Sequence, residues 1–219
     1  MKMEERKIIV SRLLEWFRRH GRSYPWRENT EPYRVLIAEI MLQRTRADQV
    51  LPVYRSFLEK FPDPTFLAEA KPEEIEEVFA KLGLKWRAEK VKNLARVLVS
   101  EYDGRIPDTR KGLLSLPGVG EYAADAVLCF AYGRNATVID ANVCRVIERL
   151  FGLKPIGEAR RDLRFRRAAQ RLVPKRKARE LNWAIIDLAA IICTPKNPKC
   201  DKCPLEEVCL YKRKRDVAA

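Results

Sequence analysis

Histidine is almost missing: the 219 residues contain one, His20. A histidine-centred triad or a His-rich metal site therefore cannot drive chemistry here. Long apolar runs are also missing. The longest, Ala126 to Tyr132, falls far short of the roughly 18 residues that a membrane helix needs. The basic start leads only into Ile8-Ile9-Val10, so no signal peptide is expected and the chain reads as soluble and intracellular, with no membrane partner. Alternating strand patterns, internal repeats and low-complexity segments are absent as well. Acids are in deficit, 30 Asp+Glu against 44 Lys+Arg, for a formal charge of +14. That excess suits a polyanion, nucleic acid being the commonest, although a thermophile-like surface gives a similar count.

What is present is apolar spacing of the helical kind. The composition, 47% hydrophobic and 34% charged, supports a core, and the length suits one large domain or two small ones. Helices are predicted over Glu5–His20, Pro32 to about Arg46, Asp48–Lys60, Pro72 to before Gly83, and Trp86–Glu101. Others follow from Pro107 to Leu116, Glu121–Tyr132, Ala141–Phe151, about Glu158–Leu172 and Ala178–Cys193. The fold class is all-α.

Four of the six cysteines crowd into one tail as Cys193, Cys200, Cys203 and Cys209, spaced C-x6-C-x2-C-x5-C. Nothing marks the chain as secreted, so a disulfide framework is not expected. Zinc accepts four thiolates but usually in paired short knuckles, and only one knuckle exists here. The two longer gaps, with Pro195, Pro198 and Pro204, suit a loop around an iron–sulfur cube, and the spacing leans that way. Cys129 and Cys144 fall on apolar helix faces and read as ordinary buried thiols.

The segment Leu116-Pro117-Gly118-Val119-Gly120 joins two short helices by a tight turn. Two glycines permit positive φ and leave the backbone bare, and the next helix offers free N–H groups. Such a loop can hold a phosphate through the main chain, or it can be a plain corner with a glycine cap.

Taken together, L-P-G-V-G-x-Y-x-A, then Val138-Ile139-Asp140-Ala141-Asn142, then the cysteine loop resemble the helix-hairpin-helix superfamily of DNA glycosylases. The likeness runs from Tyr24-Pro25-Trp26-Arg27 to Cys209 and points to the endonuclease III-like branch with a [4Fe-4S] cluster. It implies a six-helix domain over 28–133 and a cluster domain of 1–27 plus 134–219. Double-stranded DNA and a flipped base would lie in a cleft between them. It also implies that Gly118, Val119 and Gly120 grip the DNA backbone and that Asp140 is the catalytic aspartate. The position of Asp140 equally predicts a helix N-cap.

Glu39, the lone polar residue in the run Val35 to Leu42, shares a helix face with Gln43 and Arg46. By resemblance it sits in the base pocket of mismatch-specific members; otherwise it is part of a solvated stripe. Gln43 and Arg44 align with residues that contact the orphaned base or fill the stack, and an exposed Leu84 would wedge from the other side. Tyr122 stands where the endonuclease III branch has a Schiff-base lysine, and a phenol cannot form that imine. A monofunctional enzyme is expected. Glu39 and Tyr122 together leave two families in play, one acting on thymine or uracil opposite guanine, the other on adenine opposite 8-oxoguanine or guanine. The chain stops ten residues past Cys209, without the extra domain of adenine glycosylases, which favours the former, while Glu39 to Thr45 also resembles the latter.

From Arg160 to Arg179 ten basic residues face one acid, Asp162, suiting phosphates or a solvated helix. Asp187, inside an apolar helix, is expected to be a buried structural carboxylate paired to Arg or backbone. A cluster-bearing DNA-binding regulator, for which Glu39 and Asp140 would be dispensable, and a zinc-ribbon adaptor are the readings from other classes. With no long apolar surface helix, a monomer is expected.

Overall fold

The structure, a computed structural model, describes residues 2–218, and among them no strand occurs. The chain forms two compact units, one of Ser23–Tyr132 and one of its two ends, residues 1–22 with Gly133–Ala219. The first helix, α1 (Met3–His20), belongs to the second of these and buries Ile9, Leu13 and Trp16 at helical spacing. No helix among the described residues is long and apolar enough to cross a membrane.

The continuous unit contains α2 (Pro25–Glu28), α3 (Pro32–Leu42), α4 (Ala47–Lys60), α5 (Pro64–Glu69) and α6 (Pro72–Ala80), then α7 (Ala88–Tyr102), α8 (Arg110–Ser115) and α9 (Glu121–Phe130). Two of these eight, α2 and α5, are short and are not among the helices expected from the sequence, α2 lying at the very start of this unit. Each opens on proline, whose missing N–H and fixed φ cost nothing at a helix start. They are too short to show a period in the sequence. Helix α3 starts on Pro32, with the Glu31 carboxylate accepting from the N–H groups of Tyr33 and Arg34 at 3.1 and 3.0 Å. Nearly all of α3 is buried, as is α9 from Ala123 to Phe130, and the two pack together as the centre of this unit. A helix apolar all round has no solvent side to offer, and burying each Leu or Ile is worth about 1.5–3 kcal/mol. The Tyr24-Pro25-Trp26-Arg27 stretch is structural: Trp26 stacks on Tyr24 at 4.7 Å and meets Tyr54 edge-on at 5.1 Å.

In the other unit, α10 (Ala141–Phe151), α11 (Leu163–Leu172), α12 (Ala178–Ile191) and α13 (Leu210–Ala218) join α1. Helix α12 packs on both α1 and α10. Asp187 is fully buried in α12, and its carboxylate accepts from the Arg22 backbone N–H and Nε, each at 2.8 Å. It is the structural carboxylate that its apolar surroundings suggested.

Two helix bounds depart from expectation. Helix α3 stops at Leu42 rather than running to Arg46, because Arg44 adopts a left-handed φ of 64°. Helix α11 starts at Leu163, not Glu158, because Asp162 is its N-cap and accepts from the Arg164 N–H at 2.9 Å.

Candidate functional site

Asp140 is the N-cap of α10. One carboxylate oxygen accepts from the Val143 N–H at 2.7 Å and the other from Asn142 Nδ2 at 2.8 Å. The carboxylate is half-buried and held by both oxygens, so its orientation is set before any ligand arrives. The extended chain leading into it is clamped by Asn182 of α12. That buried amide accepts from the Val138 N–H at 3.0 Å and donates to the Ala136 and Ala178 carbonyls at 3.1 and 2.8 Å. Nothing in the residues around Asn182 signals this role, because Val138 and Ala136 lie 44 and 46 positions away.

Helix α10 also anchors the cysteine loop. Arg145 donates to the carbonyls of Cys193 and Ala189 at 2.8 and 3.0 Å and to Asn142 Oδ1 at 3.0 Å. Asn142 is the residue that donates to Asp140, so one chain of hydrogen bonds runs from the carboxylate to the first cysteine of the loop. A turn further on, Arg149 donates to the Thr194 and Pro195 carbonyls at 2.8 and 2.9 Å.

Cys193, Cys200, Cys203 and Cys209 line one small pocket. Each sulfur has an N–H donor: Arg149 Nη1 at 3.4 Å on Cys193, Arg215 Nη1 at 3.5 Å on Cys200, the Leu205 amide on Cys203, and the Tyr211 and Lys212 amides on Cys209. Four sulfurs around one pocket, each facing a donor, fit the four thiolate ligands and the negative charge of an iron–sulfur cube. Burial pushes the Cys203 thiol up to about 12, so loading the site releases protons. Cys129 and Cys144 are buried apart from this pocket.

The remaining sequence-predicted residues belong to the continuous unit. Glu39 is 4% exposed on α3, an acid inside an apolar helix and not a solvated stripe. Tyr122 is half-buried in the first turn of α9. Gln43 ends α3, and Arg44 follows it in the left-handed conformation, a strained state for a non-glycine residue. Gln43, Trp86, Lys90, Pro117 and Gly118 line a single depression, so the α3 terminus and the hairpin share one face. In the hairpin Gly118 takes φ 79°, but Gly120 has φ −95° and needs no glycine for its backbone. A Cβ at Gly120 would meet no protein atom within 4 Å, so the N-terminus of α9 is open to a ligand. Val119 lies between two exposed glycines with its side chain buried, which leaves only its main chain for contact.

Leu84 corrects an expectation. It is 7% exposed, sealed into the unit and not standing out as a wedge. The exposed apolar residue of that turn is Trp86, at 58%. Lys85–Arg87 form a 3-10 turn rather than the start of a helix, fixed by buried Arg87 donating to the Ile40 carbonyl at 2.6 Å. The Trp86 ring is flanked by the Arg87 guanidinium at 4.8 Å and the Lys90 ammonium at 5.4 Å. A lone tryptophan between cations in a turn was the signal in the sequence.

This geometry agrees with what the chain resembles. Residues 37–175 match the HhH-GPD superfamily base excision DNA repair protein description, and 193–209 match the iron–sulfur binding domain of endonuclease III. The chain belongs to the HhH-GPD superfamily. It is a DNA glycosylase with a [4Fe-4S] cluster loop. It is 40% identical to the thymine/uracil-DNA glycosylase of Methanothermobacter thermautotrophicus, covering 96% of each chain. It is 36% identical to the adenine DNA glycosylase of Mycobacterium tuberculosis, covering 92% of this chain and 67% of that one. Among solved structures a thermostable thymine-DNA glycosylase superposes with a TM-score of 0.91 at 40% identity, covering 96% of this chain and 98% of the other.

Proposed function

We propose that this glycosylase hydrolyses the N-glycosidic bond of thymine or uracil opposite guanine in duplex DNA and leaves the abasic site uncut. The observation that carries the target base is the 40% identity to thymine/uracil-DNA glycosylases over nearly the whole of both chains. Reaching that bond requires the nucleotide to leave the stack. Bond cleavage then builds positive charge on the sugar. The Asp140 carboxylate, already oriented by Val143 and Asn142, opposes that charge without reorganising. Glu39 exchanges a proton with the departing base or positions water; its low exposure supports such a role. Tyr122 offers a phenol where strand-nicking relatives use an amine, so no covalent imine forms and the product keeps its phosphodiester. Gln43 and Arg44, with Trp86 taking the place assigned to Leu84, contact the opened stack. The bare main chain of Gly118, Val119 and Gly120 accepts a phosphate at the α9 N-terminus. Cys193, Cys200, Cys203 and Cys209 would hold the iron–sulfur group, which when bound would tie the 193–209 loop into one piece. The protein acts as a monomer.

A single-turnover panel of T:G, U:G, A:8-oxoguanine and A:G duplexes, each with and without alkali, tests this reading. Breaks at T:G and U:G that need alkali are expected. Breaks confined to the adenine mismatches would move the protein to the adenine branch, and alkali-independent breaks would refute the monofunctional assignment. Tyr122→Lys is expected to create a borohydride-trappable adduct with the same T:G duplex.

A further inference from the structure

The basic helix α11 does more than scatter charge over a surface. Leu163, Arg167 and Arg171 recur every four residues and share one face, and Leu163 is 61% exposed on it. Beside that face lies a cavity of about 460 Å³. Its larger apolar lining comes from Leu150 and Phe151 at the end of α10, Leu153 just beyond it, and Val208 and Leu210 on either side of Cys209, with Ala168 of α11 as a smaller member. Arg164, Arg167, Arg171 and Arg213 surround it, with Glu5 the single acid. Two of these arginines are held in place: Arg164 by Asp162 and the Lys154 carbonyl, Arg213 by the Glu207 carbonyl. All these residues belong to the discontinuous unit, and none is among those assigned above to excision.

We propose that this cavity docks an acidic protein segment carrying apolar anchors. Arg164 is already paired with Asp162, which leaves Arg167, Arg171 and Arg213 against the Glu5 carboxylate. That excess calls for carboxylates on the partner, and charge-assisted pairs of that kind are the stronger hydrogen bonds. The apolar side chains call for apolar groups between those carboxylates, which a DNA backbone does not offer. A second copy of the chain is a poor occupant. It carries the same +14 charge, and its acid-rich helix α6 has already buried Ile75, Val78 and Phe79. Because Val208 and Leu210 flank a cluster cysteine and Arg213 bonds to Glu207, the occupant rests directly on the iron–sulfur loop. A partner seated there adds a protein contact at a place separate from the base-excision residues.

The probe is a fluorescein-labelled acidic peptide with two leucines at i, i+4 spacing, titrated by anisotropy against the cluster-loaded full chain at about 0.15 M salt. Saturable binding is expected, weakened at least about tenfold by replacing both leucines with serine. Arg167→Glu with Arg171→Glu, and separately Leu153→Ser, should each weaken it by a similar factor. Leu153→Ser should still release thymine at the parental rate, and its melting curve and visible cluster absorption show whether it folds. Should it unfold, Leu163→Ser on the exposed helix face replaces it. Equal binding of the serine peptide would reduce the site to a simple counter-ion patch and overturn the proposal. So would a T:G duplex whose affinity falls with Leu153→Ser, a self-association in sedimentation that Leu153→Ser dissolves, or binding to anionic vesicles that excludes the peptide.

Discussion

The two units hold themselves together by different means. The continuous unit, Ser23–Tyr132, is helix joined to helix by short turns, and its centre is the apolar pair α3 and α9. The unit made from the chain ends includes long non-helical stretches at 152–162 and 192–199 besides the approach to Asp140. Carbonyls in such stretches have no helical partner and need donors from elsewhere. Arginine supplies them. Arg6 reaches the carbonyls of Arg171, Leu172 and Val173, while Arg145, Arg149 and Arg213 reach those around the cysteine loop. Guanidinium, with five N–H groups in a fixed fork, can satisfy several carbonyls at once. Part of a basic composition that reads as a nucleic-acid signature is therefore internal scaffolding.

The largest expected effect separates catalysis from scaffolding within one unit. Asp140→Asn should lower single-turnover thymine release by about a hundred- to a thousandfold. The amide still accepts at the α10 cap, so thermal stability should barely change. A large drop in melting temperature would mean that the carboxylate serves chiefly as a cap.

Next comes the polar tie itself. Asp187→Ala leaves the Arg22 guanidinium and backbone N–H without their buried acceptor and should cost about 3 kcal/mol in urea unfolding. Protection from hydrogen exchange should fall in α1 and α12 and persist in α3 and α9. Uniform loss across both units would erase the contrast between them.

Alkali should find the units at different pH. Burial, with Asp140 nearby, pushes the Cys144 thiol up from 9.0 to about 11, whereas burial raises the Tyr54 phenol from 10.0 to about 12. In both cases the folded state favours the protonated form. That stability is complete below the unfolded pKa and is lost as pH climbs through the folded value. The discontinuous unit should begin to weaken between pH 9 and 11, by about 2 kcal/mol in all, a pH unit before the effect of Tyr54 sets in. Urea titrations across that window measure the difference, and Cys144→Val should diminish the early phase, to which the buried Cys203 and Cys209 thiols also contribute when free of the cluster.

The smallest effect concerns the exposed face of the continuous unit. Trp86→Ala should weaken duplex affinity by about 1 kcal/mol while leaving the rate of the saturated complex unchanged. A changed rate with unchanged affinity would remove Trp86 from the contact surface.

The sequence alone determined the all-α class, the helix starts marked by proline and caps, the hairpin, the cysteine loop, the candidates Asp140 and Glu39, and Asp187 as a buried structural acid. Those features are local: a cap, a period or a ligand spacing acts over a few residues and is written in consecutive letters. Only the tertiary structure decided that Leu84 is sealed while Trp86 stands out, because burial depends on what packs over a turn. Only it decided that Asn182 clamps the approach to Asp140 and that Arg145 links Asn142 to Cys193, since these bonds join residues 44 and 48 positions apart. The division of the arginines among carbonyls and the cavity beside α11 belongs to the same class. A guanidinium reads identically in sequence whether it faces a phosphate, a carboxylate or a stranded carbonyl. Its partner is chosen only when distant segments meet.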